Sequence, residues 1–116
     1  MAKHNKIGQM GEQLAVAFFI KKGYKILHKN WRSGNWEIDI IAGRSAILHF
    51  IEVKTKTSNN HGYPEDAVTK TKLQFVINGA ERYLYENPDW NRIQFDILSI
   101  TLKPSIDYFL MEDVFL

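Results

Sequence analysis

The sequence predicts a three-layer α/β protein, a mixed sheet with helices on its faces, in the order α-β-β-β-α-β-β. Three observations predict it. Two segments carry apolar residues at helical spacing. Between them lie three short segments with strand-like alternation or apolar runs, punctuated by Gly and Ser. Two further strand-like segments follow the second helix, and helices interleaved with strands build layered α/β folds. The length of 116 residues fits one domain spanning 1–116.

Residues 8–22 read as the first helix, with Met10, Leu14, Ala17, Phe18 and Lys21 at helical spacing and Gly23 as its stop. Gly8, Gly11, Glu12, Ala15 and Phe19 form another face, small enough for close approach to a sheet. Residues 24–31 read as a strand with Tyr24, Ile26 and His28 alternating, and Ser33-Gly34-Asn35 as a turn. Residues 36–42 form the next strand, Gly43-Arg44-Ser45 a turn, and 46–55 the third strand, giving an antiparallel hairpin. Residues 56–64 read as a polar, mobile loop, with Glu65 or Asp66 capping a helix that Pro88 ends. The apolar stripe of that helix is Val68, Phe75, Val76, Ala80, Tyr83 and Leu84. Strands over 92–102 and 106–111 complete the order.

Composition excludes several classes. Cysteine is absent, which removes disulfide scaffolds, thiolate metal sites and cysteine nucleophiles, and suits a reducing cytoplasm. The longest apolar run, Leu14 to Ile20, is too short for a membrane span, and no small-residue cleavage site follows it. A cytoplasmic protein is therefore expected. The charge is divided: residues 1–56 hold ten Lys/Arg and four acids, residues 57–116 five Lys/Arg and nine acids. A basic half suggests an acidic partner, nucleic acid first. Its four acids are Glu12, Glu37, Asp39 and Glu52. Carboxylates in a positive surround suit a site that binds phosphate and also needs a cation.

The second strand reads Trp36-Glu37-Ile38-Asp39-Ile40-Ile41 and the third Phe50-Ile51-Glu52-Val53-Lys54. Alternation puts Glu37 with Asp39, and Glu52 with Lys54. A tight turn at 43–45 would set Glu37 opposite Glu52 and Asp39 opposite Phe50, with all four charges on one face. Asp39 and Glu52 would then be diagonal, about 7–8 Å apart at Cβ, a gap that a divalent ion can bridge. The placement depends on register. Hard carboxylates bind Mg²⁺ or Mn²⁺ and leave water in the shell. Such an ion generates a nucleophile and neutralises phosphate charge, while a neighbouring lysine orients water or holds the phosphate. Asp39, Glu52 and Lys54 are a sufficient catalytic set, with Glu12 able to complete the metal shell. An isolated E-x-K is ordinarily an exposed ion pair. The apolar neighbours Ile38, Ile40, Ile41, Ile51 and Val53 instead point to strands buried on both faces, where clustered carboxylates are costly unless they bind something.

Gly11-Glu12-Gln13-Leu14-Ala15, Glu37-Ile38-Asp39-Ile40-Ile41-Ala42, Phe50-Ile51-Glu52-Val53-Lys54-Thr55-Lys56, Ala67-Val68 with Lys72, and Phe95-Asp96-Ile97 occur in that order. Together they resemble the YraN-like family of small, functionally uncharacterised bacterial proteins. That family is similar to archaeal Holliday-junction resolvases and belongs to the PD-(D/E)xK restriction-endonuclease-like superfamily. The resemblance covers nearly the whole chain. It implies a restriction-endonuclease-like fold, a divalent metal, and metal and catalytic roles for Asp39, Glu52 and Lys54, with Glu12 as the helix carboxylate. It departs at Asn35-Trp36, where the family has Gly before the Glu, and at Lys56 and Gln94, where it has Arg.

The expectation is a metal-dependent nuclease acting on DNA, with branched junctions a candidate substrate and a two-fold dimer suggested by analogy. A non-catalytic nucleic-acid-binding module on the same fold is the alternative. Lys56, Lys72 and Arg32 are the expected phosphate contacts. The four histidines lack ligand spacing, the tryptophans read as packing residues, and Asp96 reads as a buried structural acid.

Overall fold

The computed structural model describes residues 5–58 and 69–114. These form α1 (Lys6–Lys21), β1 (Lys25–Ser33), β2 (Trp36–Arg44), β3 (Ile47–Lys56), α2 (Lys70–Glu86), β4 (Ile93–Thr101) and β5 (Asp107–Met111). The strands make one mixed sheet in sequence order. β3 and β4 are parallel and the other neighbours antiparallel. The α-β-β-β-α-β-β order and mixed sheet are as expected. Each helix closes one face. Ala15 and Phe19 of α1 pack with Ile40, Ala42, Ile51, Leu98 and Ile100. Val76, Ala80 and Tyr83 of α2 pack with Ile38, Ile41, Leu48 and Phe50. No helix of the described residues is long and apolar enough to cross a membrane.

α1 starts where the Asn5 side-chain oxygen accepts from the Gly8 N–H at 2.7 Å. It ends in a Schellman turn: Gly23 adopts φ 92°, its N–H reaches Ile20 O and the Tyr24 N–H reaches Phe19 O. The small face is the buried one. Gly11, Ala15 and Phe19 meet the sheet, and a Cβ on Gly11 would overlap Thr55 Oγ1. Met10, expected on the apolar stripe, is 48% exposed because the sheet approaches the glycine side instead.

Turn chemistry corrects the expected hairpin. The turn is Ser45-Ala46, both at positive φ, and Arg44 pairs with Ile47. That two-residue turn matches the strand twist. Gly43 stays inside β2, where a Cβ would stand 3.1 Å from the Trp90 ring. The register moves with the turn: Ile41 faces Phe50 and Ile40 faces Ile51. The expected pairs Asp39–Phe50 and Glu37–Glu52 are thus two residues out of step, an offset that preserves alternation.

Lys56 ends β3 rather than opening a loop, since β4 continues to pair with it at Thr101. α2 begins behind Thr69, whose hydroxyl accepts from the Lys72 N–H at 3.2 Å. The expected caps Glu65 and Asp66, the stripe residue Val68 and the 59–64 loop lie outside the described residues. Phe75, expected in the stripe, is 44% exposed; its neighbour Val76 takes the core position.

Candidate active site

Beyond Ile40↔Ile51 the β2–β3 ladder opens, and Asp39 and Glu52 stand at the opening. Two irregularities produce it. Asn30 on β1 takes φ 52°, between the pairs Lys29↔Ile40 and Trp31↔Ile38. Across from it Ile38 joins the α2 core and Ile40 the α1 core, so alternation breaks around Asp39. The Asp39 carboxylate fills the gap left in the ladder. Its Oδ2 accepts from the Val53 N–H at 2.8 Å, standing in for a backbone carbonyl.

A cleft of about 400 Å³ forms there, lined by Glu12, Asp39, Glu52, Lys54 and Lys72 together with Asn5, Gly8 and Thr55. β3 contributes Glu52 and Lys54, β2 Asp39, and the first turns of the two helices close the sides. Lys72 turns inward, its Nζ 3.4 Å from Glu52 Oε2. Glu52 is 5% exposed, and its other oxygen, Oε1, is buried with no hydrogen-bond partner. Glu12 lines the same cleft, held by the Asn30 side-chain N–H at 3.2 Å from its Oε1. Asn30 is not among the residues that the sequence singles out. A polar residue in a strand carries no signal that it will turn left-handed and hold a helix carboxylate.

Burial pushes the Glu52 carboxyl up to about 7, and the Asp39 charge pushes the same way against Lys72 and Lys54. Burial also raises Asp39, opposed by the Val53 N–H and Lys72. The pair is short of positive charge, which favours either protons or a cation. A divalent ion fits this donor set: hard oxygens, one of them buried and orphaned, with room for water. Among the described residues no three acidic or imidazole groups converge tightly enough to form a ligand cage. Two carboxylates plus water is an ordinary shell for Mg²⁺, which dehydrates reluctantly.

Glu37, expected on the shared face, lies instead in an adjoining depression with Arg32, Phe75 and Lys72, so Lys72 bridges the two hollows. Lys56 follows Lys54 on β3 without lining the cleft. Asp96 is a structural acid. Its Oδ2 lies 2.7 Å from His49 Nδ1, and its Oδ1 accepts from Gln94 Nε2 and the Asp113 N–H, each at 2.9 Å. Gln94, at one of the departures noted above, thus braces this acid. Trp31 and Trp90 pack against the α2 core.

The fold and cleft define a small α/β protein with a carboxylate–lysine centre where its sheet opens. The chain belongs to the uncharacterised protein family UPF0102, whose model matches residues 11–100, the YraN-like group that the motifs resemble. That span includes Glu12, Asp39, Glu52, Lys54 and Lys72. A UPF0102 protein of Chloroherpeton thalassium is 40% identical over 93% of this chain and 92% of its own. One from Clostridium perfringens is 46% identical over 86% and 84%, and one from Flavobacterium psychrophilum 43% over 86% and 84%.

Proposed function

We propose that the protein is a divalent-metal-dependent nuclease acting on DNA. The observation that carries this reading is the pair Asp39 and Glu52: one half-buried carboxylate and one buried with an orphaned oxygen, in a cleft shared with two lysines. Buried acids without full pairing destabilise a fold, so their clustering at an opening in the sheet points to a ligand. Asp39 and Glu52 would hold Mg²⁺ or Mn²⁺, with Glu12 at the edge of the shell. Such an ion supplies an activated water and charge neutralisation at the phosphate.

The rest follows from the side chains. Lys54, beside Glu52 on β3, orients the water and donates to the phosphoryl oxygen as negative charge builds. Lys72, leaving Glu52 once a cation replaces it, is free to hold a phosphate. Arg32 and Lys56, on either side, extend the positive track for the DNA backbone.

Calorimetry with Mn²⁺ tests the centre. Wild type should bind, and Asp39→Asn should lose most of the affinity; an unchanged isotherm removes Asp39 from the site. Cleavage is then surveyed on duplex, single-stranded, flapped and four-way-junction DNA. Binding of one of these without cleavage in Mg²⁺ or Mn²⁺ would favour the module reading, in which the same cleft only holds DNA.

A further inference from the structure

A second hollow of about 350 Å³ lies on the α1 side of the sheet and shares Glu12 and Asp39 with the first. Its floor is apolar, Val16 and Ile40. Its walls carry amides, Gln9 and Gln13 from α1 and Asn30 from β1, with Lys29 beside them. The size suits a small molecule or one nucleoside rather than a duplex.

Resting on the nuclease reading, we propose that this hollow receives one unstacked base next to the scissile phosphate, so that the preferred DNA carries an unpaired nucleotide there. Three observations support it. The hollow and the cleft share Asp39 and Glu12 in their linings, so a nucleotide whose phosphate lies in the cleft has its base within reach. Its lining is the chemistry that reads bases: Asn and Gln amides recognise base edges, and an apolar floor receives the ring. Finally, Asn30 is committed. Its Nδ2 donates to Glu12, and its Oδ1 is buried without a partner in a backbone at φ 52°. An acceptor left without a donor calls for one, and the exocyclic amines of adenine, cytosine and guanine provide it. A base already unpaired is the one extruded at least cost, which selects interrupted or branched DNA over perfect duplex.

The test uses duplexes that differ by one unpaired 2-aminopurine, a base with an exocyclic amine whose fluorescence rises when it leaves the stack. Ca²⁺ is supplied as the metal and binding is read by anisotropy. Wild type should bind the interrupted duplex about tenfold more tightly than the perfect one and brighten the probe. Gln13→Trp, an exposed position, fills the hollow, and Asn30→Gly removes the amide at a backbone angle that glycine accepts. Both should reduce the preference to about twofold or less. Equal wild-type affinity for the two duplexes, or a preference that persists in both variants, overturns the base pocket and leaves the nuclease reading standing. Failure to bind any DNA overturns both.

Discussion

Each of the central side chains has a separable consequence. Lys54→Ala should lower the cleavage rate by about 10³-fold while Mn²⁺ affinity holds, because the ammonium acts mainly on charge that develops in the transition state. Calorimetry alongside single-turnover cleavage checks this; a parallel loss of metal would make Lys54 a structural partner of Glu52. Glu52 carries a pH signature. Its carboxyl titrates at about 7 in the folded chain against an ordinary 4.5, chiefly through burial, and Asp39 shifts the same way. The folded state therefore holds protons that the unfolded state releases. This contribution to stability is fully present below about pH 4.5 and is lost as pH rises through about 7. The metal-free protein should melt at a lower temperature at about pH 8 than at about pH 5, and Glu52→Gln should flatten that slope and stabilise by roughly 1–3 kcal/mol at the higher pH. Added Mg²⁺ should restore the wild-type melting temperature above pH 7. A wild-type profile insensitive to both pH and metal would contradict the electrostatics of the site.

Helix α1 is set onto β3 through Gly11, where any side chain would meet Thr55. Gly11→Ala should cost about 2 kcal/mol in urea denaturation and displace Glu12, since small-to-large changes in tight packing force backbone shifts. Thr55→Ala in the same chain should recover part of the loss. The helix also shows how much was legible in advance. Gly11, Ala15 and Phe19 announced close packing because small residues at helical spacing have few other uses, and the strands around Asp39 and Glu52 stood out by their apolar runs. The Ser45-Ala46 turn was not legible: neither residue favours positive φ, and Gly43 offered a stronger local signal that Trp90 overrides. The resulting slip is an even two residues, so it does not by itself carry Asp39 and Glu52 to opposite faces, and both line one cleft. Glu37 did not join them, because the break in alternation at Asp39 lies between the two acids. That break lies across from Asn30 at φ 52°, and a strand read alone does not reveal its partner's backbone.

Across the molecule, four of the fifteen Lys and Arg residues lie at or beside the place where the sheet opens, in a chain whose formal charge is only +2. Lys54 and Lys72 line the cleft, Arg32 the adjoining depression, and Lys56 the end of β3. If these four hold phosphates, the logarithm of DNA affinity should fall against the logarithm of salt with a slope of about −3.6. Each replacement by Ala should make that slope shallower by nearly one unit. An affinity flat across salt would remove phosphate contacts from the binding mode.

The Val53 amide gives the site a native reporter. Its hydrogen bond ends on Asp39 Oδ2, so the same carboxylate closes the ladder and faces the cleft. An ion that draws electron density from that carboxylate weakens it as an acceptor, and the Val53 nitrogen and proton resonances should move with occupancy. One backbone signal in a ¹⁵N-labelled sample would then follow metal entry without any substrate, and the strand edge itself becomes the indicator.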